Sequence, residues 1–213
     1  MRSDSGADSG VVMKNQSDAK TALMKSWPSI VKECRQVLGS ELHYQAMIYY
    51  CLRQYGKVPI DQIGMNVKMW IDKPKTQLFK QKDRDKNPEY QGGFEPIPDV
   101  VLFKPSIHGD WRRRNFENTR KRMLMAIEVK ASERRELRLR PKEIMNDIDK
   151  LAAQREEISH HGGRMIPVVL VIDTSQEGER MLPVNIPCVK MHAENNNVGF
   201  FYVSPEEKIQ PDW

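Results

Sequence analysis

Met123-Leu124-Met125-Ala126-Ile127-Glu128-Val129-Lys130-Ala131 is an apolar run broken by one acid and one base. Side chains alternate across a strand, so Glu128 and Lys130 point to the same face. The remaining residues are apolar on both faces, which reads as a central strand covered on both sides. A second run, Pro98-Asp99-Val100-Val101-Leu102-Phe103, carries a single acid near its start. Unpaired charge in a sheet interior is very costly, so Asp99, Glu128 and Lys130 must be paired, metal-bound or used in chemistry.

The surrounding chain supplies elements to cover such strands. Glu41 to Gln54 is apolar around much of its circumference, with Ser40 as N-cap and Gly56 as stop, and reads as a helix packed on a sheet. Before it, the pattern predicts one helix over Ala19–Trp27 and another from Pro28 to Leu38, with proline in its first turn. A strand is expected over Asn66–Ile71, and the polar stretch Asp72–Pro98 reads as a loop or weak hairpin. Pro141 opens a helix whose stripe Ile144, Ile148, Leu151, Ile158 has the helical period, and Gly162-Gly163 end it. His160-His161 sit at its C-terminus, where protonated histidine suits the helix dipole. Strand Met165–Asp173 follows, then a helical turn over Gln176–Leu182 and edge strands near Cys188–His192 and Val198–Val203. This order predicts an α/β (α+β) fold with a central mixed β-sheet flanked by helices.

At 213 residues the chain suits one domain. Residues 1–17, polar and without the hydrophobic stretch of a secretory signal, read as a disordered tail; residues 18–213 form the domain. The longest apolar run, Ile166–Ile172, is too short to cross a bilayer, so no membrane partner is expected and the cytoplasm is the default compartment. Cys34, Cys51 and Cys188 have no CxxC or CxxH spacing, which excludes a disulfide framework and a structural zinc site. The methionines read as core filling. A net charge of +5 fits a nucleic-acid partner. The insertion Lys104–Arg122 holds seven Lys or Arg against two acids, and Arg112, Arg113, Arg114, Arg120, Lys121 and Arg122 are candidate phosphate contacts beside the strand site. No Gly-rich phosphate loop or GxSxG elbow is present.

Two strand-borne carboxylates suit magnesium, which prefers oxygen ligands and keeps several waters. Asp99 and Glu128 are the candidate metal ligands, the Val129 carbonyl is a natural third, and Lys130 is placed to orient an attacking water. The arrangement resembles the PD-(D/E)XK nuclease superfamily: Pro98-Asp99 matches the first half of its signature and Glu128-Val129-Lys130 the second. The resemblance covers roughly residues 40 to 175 and implies a restriction-endonuclease-like core and a metal-dependent endonuclease hydrolysing DNA. It also implies a glutamate on the first core helix facing the metal, here Glu41. A polar residue on the crossover helix near the site is implied too, for which Gln154 is the candidate, with Lys150 behind it. Manganese is expected to substitute for magnesium, and cutting both strands calls for a homodimer or a partner protein. The spacing from Asp99 to Glu128 is longer than many members show, an excess attributed to the insertion. The alternative is a catalytically inactive nuclease-fold module, a DNA-binding or scaffold subunit of a larger nucleoprotein assembly.

Overall fold

The computed structural model describes residues 11–213, so the first ten residues of the tail read from the sequence lie outside it. The remainder of that tail is held in place. Val11 N–H bonds the Lys57 carbonyl at 2.9 Å, and Met13 is buried. Gln62 exchanges two hydrogen bonds with the Met13 backbone. Asn15 and Asp18 form a capping box that starts helix α1.

Helix α1 runs unbroken over Gln16–Cys34, with Pro28 inside it. Two helices were expected because proline removes a hydrogen bond and crowds the preceding turn. The buried stripe Leu23, Trp27, Ile30, Val31, Cys34 spans the proline, and its packing outweighs that loss. Trp27 meets Phe201 edge-on at 5.0 Å. Helix α2 covers Glu41–Gln54 as the pattern predicts. Ser40 makes no side-chain cap; the Glu133 carboxylate accepts the Glu41 N–H at 2.7 Å instead.

Among the described residues the sheet has six strands in spatial order β1-β2-β3-β4-β5-β6, which are Ile63–Met65, Val100–Phe103, Met123–Ala131, Ile166–Ile172, Gly199–Val203 and Lys208–Ile209. The first three form an antiparallel meander, β3 to β5 are parallel, and β6 returns antiparallel. Helix α5, Pro141–His160, links β3 to β4, and α6, Ile186–Asn195, links β4 to β5. One core packs α1 and α2 on one face of the sheet; a second joins the other face to α3, Gln77–Arg84, and to α5 and α6. The protein is therefore α/β, a six-stranded mixed sheet between helical layers.

Four further expectations change. Asn66 adopts the left-handed conformation (φ 49°), which ends β1 before the predicted strand begins. Residues 67–71 still alternate buried and exposed and bond to Phe94 and Pro96, but Pro96 and Pro98 lack N–H groups, so no regular ladder closes. The polar stretch contains α3, and its Phe79 is fully buried. Residues 188–192 lie in α6, which is short and whose β-branched Ile186 and Val189 imitate a strand. The turn at 177–179 is not helical.

Candidate active site

Val100 pairs with Ile127 across the antiparallel β2–β3 ladder, so one step further Asp99 stands opposite Glu128. The Asp99 N–H donates to the Ile127 carbonyl at 3.1 Å. Its carboxylate Oδ2 accepts the Val129 N–H at 2.7 Å, continuing the ladder through a side chain where β2 begins. Val129, whose carbonyl is the expected third ligand, is thus fixed directly against Asp99. Asp99 is buried, and Glu128 is half-buried.

Lys130 follows on the same face. Its ammonium lies 3.3 Å from Glu41 Oε2 at the first turn of α2 and 3.2 Å from Asp147 Oδ2 on α5. Asp147 also takes Lys150 Nζ at 2.6 Å. The structure therefore brings together Asp99, Glu128, Val129, Lys130 and Glu41, and adds an acid the sequence reading passed over. The signal for Asp147 was present: it falls within the stripe of Ile144, Ile148 and Leu151, where a charge is out of place. Gln154 lies on that same stripe, buried, and lines a cleft with Glu128 and Lys150.

Charge in this cluster is unbalanced. Asp99, Glu128, Glu41 and Asp147 face Lys130 and Lys150, so four carboxylates meet two ammonium groups. Burial first, then Asp99 and Asp147, push the Glu128 carboxyl up to about 8. Burial also raises Asp99 to about 6, against the opposing Val129 N–H. Burial alone would lower the Lys130 ammonium, but Asp147 and Glu41 outweigh it and hold Lys130 above its ordinary value. Glu128 makes no hydrogen bond or ion pair among the described residues.

Among the described residues no group of three or more His, Cys, Asp or Glu side chains is set to hold a metal ion. Two facing carboxylates in a site short of positive charge still match the donor set of magnesium, which fills its shell with water.

The basic insertion sits elsewhere than expected. It leaves β2 at Phe103 and rejoins β3 at Met123, the end of the ladder opposite Asp99 and Glu128. Arg120, in the helix α4 that spans Phe116–Arg122, contacts His161 at the C-terminus of α5, again at that far end. Arg120 is buried against Phe116 and lies 3.6 Å from Asp72, so its charge serves the fold. Arg122 buries its Nε without a partner among the described residues. Arg112 is tied to Asp110. Arg114 and Lys121 are exposed. Only Arg113 turns back toward the site: it pairs with Glu95, a residue of the Glu128 cleft, at 2.6 Å and lies over Trp70.

Cys34 and Cys51 are free and buried, and burial pushes both thiols up to about 12. No helix among the described residues is long and apolar enough to cross a membrane. No known protein family, curated protein or solved structure matches the chain.

Proposed function

We propose that the protein is a metal-dependent nuclease with a restriction-endonuclease-like core of the PD-(D/E)XK type, hydrolysing phosphodiester bonds in DNA. The observation that carries this reading is the facing pair Asp99 and Glu128, with Lys130 on the same face and both carboxyls pushed up by burial and by neighbouring acids. A divalent cation would supply the missing positive charge once the two carboxyls ionise. Asp99 and Glu128 would hold magnesium, or manganese in its place, with the Val129 carbonyl as third ligand and Glu41 through water. The ion would polarise the phosphate and lower the pKa of an attacking water.

What the chain's own groups do follows from their geometry. The two carboxylates must give up their protons before they bind the ion. Lys130 keeps its proton, because Asp147 and Glu41 hold its pKa up, so it acts as a fixed positive charge and not as a general base. An ammonium has three N–H donors. Asp147 and Glu41 engage two of them, leaving one for the nucleophilic water or a phosphate oxygen, where charge builds in the transition state.

A second reading is an inactive DNA-binding subunit of the same fold, favoured by the same clamp on Lys130, which would also serve a purely structural ion-pair network. Incubating supercoiled plasmid, linear duplex, single-stranded DNA and RNA with magnesium, manganese or EDTA tests the proposal. Metal-dependent cutting of DNA is expected; DNA binding without cutting in any metal moves the assignment to the second reading.

A further inference from the structure

We infer that the cleft beside Glu128 is a nucleobase pocket, which takes one unpaired base of the substrate strand and reads its edge with Gln154. The inference rests on the nuclease reading above and names what that site selects.

The cleft measures about 330 Å³ and lies between α5 and the segment 94–98. Phe94, Pro96 and Leu151 give it apolar walls, and Lys82 and Lys150 bring two ammonium groups to it. Its volume is at the lower end of the ~300–1,000 Å³ typical of ligand pockets. Phe94 packs on Phe79 at 4.6 Å and lies under the Lys86 ammonium at 5.3 Å, so it is held in place as a wall; apolar walls suit a base and flanking ammonium groups suit its phosphates.

Gln154 turns an apolar hole into a specific one. It is 3% exposed, yet among the described residues its only contact to a polar atom is Nε2 to the Met69 thioether at 3.8 Å. Sulfur is a weak acceptor, and the amide oxygen has no partner among the described residues. The oxygen opens to the cleft, so a ligand that displaces water there must offer a donor and an acceptor side by side. The edge of a base does so, and glutamine pairs in this manner with adenine. Because protein covers the cleft on two sides, the base must have left the duplex stack. That places the strand's adjoining phosphate beside Glu128, which lines the same cleft.

The test uses a duplex carrying one unpaired 2-aminopurine, a fully paired duplex, a duplex with an abasic residue at that position, and free 2-aminopurine deoxynucleoside monophosphate. Each is titrated in EDTA with wild type, Gln154→Ala, Gln154→Glu and Phe94→Ala. Binding of the unpaired duplex should change 2-aminopurine emission and be at least about fivefold tighter than binding of the paired or abasic one. Gln154→Ala and Phe94→Ala should erase that preference. Gln154→Glu should favour bases that present an amino group. Equal affinity for paired, abasic and unpaired duplexes, or an unchanged preference in Gln154→Ala, overturns the pocket and leaves metal-dependent plasmid cleavage intact. Equal affinity for the free nucleotide overturns strand recognition. Absence of both DNA binding and cleavage overturns the pocket together with the nuclease reading.

Discussion

Asp147 Oδ2 lies 3.2 Å from the Lys130 ammonium and so fixes, from α5, the direction in which the lysine of β3 points. The other acceptor, Glu41, comes from α2 on the opposite face of the sheet. The lysine is thus held from both helical layers, and its position is set by the fold more than by its own flexible stem.

If this clamp matters for turnover, Asp147→Ala should reduce the cleavage rate by at least tenfold with little change in KM, and Asp147→Glu should recover part of the loss. Asp147 is buried and paired with two lysines, so the alanine variant should also lose about 1–3 kcal/mol of stability. Denaturant titration beside single-turnover kinetics separates the two effects.

The raised carboxyls of Glu128 and Asp99 give a pH dependence of definite sign. Unfolded, both titrate at about 4; folded, they titrate at about 8 and about 6. Between these values the folded protein binds more protons, so their contribution to stability falls as pH rises. In EDTA the difference in Tm, Glu128→Gln minus wild type, should therefore increase from pH 5 to pH 8. Magnesium at pH 8 should raise the Tm of wild type and leave that of Glu128→Gln unchanged.

Arg113 and Arg120 belong to one basic run but should fail differently. Arg113→Ala should weaken DNA binding and reduce the slope of log affinity against log salt by about 1, the signature of one phosphate contact. Arg120→Ala, removing a buried cation from between Phe116, Asp72 and His161, should lower Tm and leave that slope unchanged.

Glu157 is fully buried and its Oε1 accepts the N–H groups of Lys75 and Thr76, at 2.5 Å and 2.6 Å, just before α3. Glu157→Ala should cost about 1–3 kcal/mol. Because α3 supplies Phe79 and Lys82 to the Glu128 cleft, hydrogen exchange across Gln77–Arg84 should speed up before the β3 amides do.

Periodicity made β3, α2 and α5 legible at their observed bounds, and it put Glu128 and Lys130 on one face. Those elements are long and strongly patterned, so burial and local preference agree. Pro28 was misleading because tertiary packing along α1 overrides a local penalty. The strand after Asn66 failed for a reason no alternation reveals: its partner carries two prolines. Short α6, with Pro187 in its first turn, has too little pattern to outvote its β-branched residues. Asp99 and Glu41 were legible as types and order, but only the fold showed Glu41 meeting Lys130 and Asp99 taking the Val129 N–H. The basic run was read as adjoining the site because both border β2, whereas the strand's own length separates them.

The most direct measurement is single-turnover cleavage of supercoiled DNA with magnesium, wild type beside Glu128→Ala and Lys130→Ala. The account predicts nicking by wild type that vanishes in EDTA and falls by at least about a hundredfold in each variant, as expected for loss of a metal ligand or a transition-state charge. Nicking that survives in both variants, or a wild type that binds DNA and never cuts it, would contradict it.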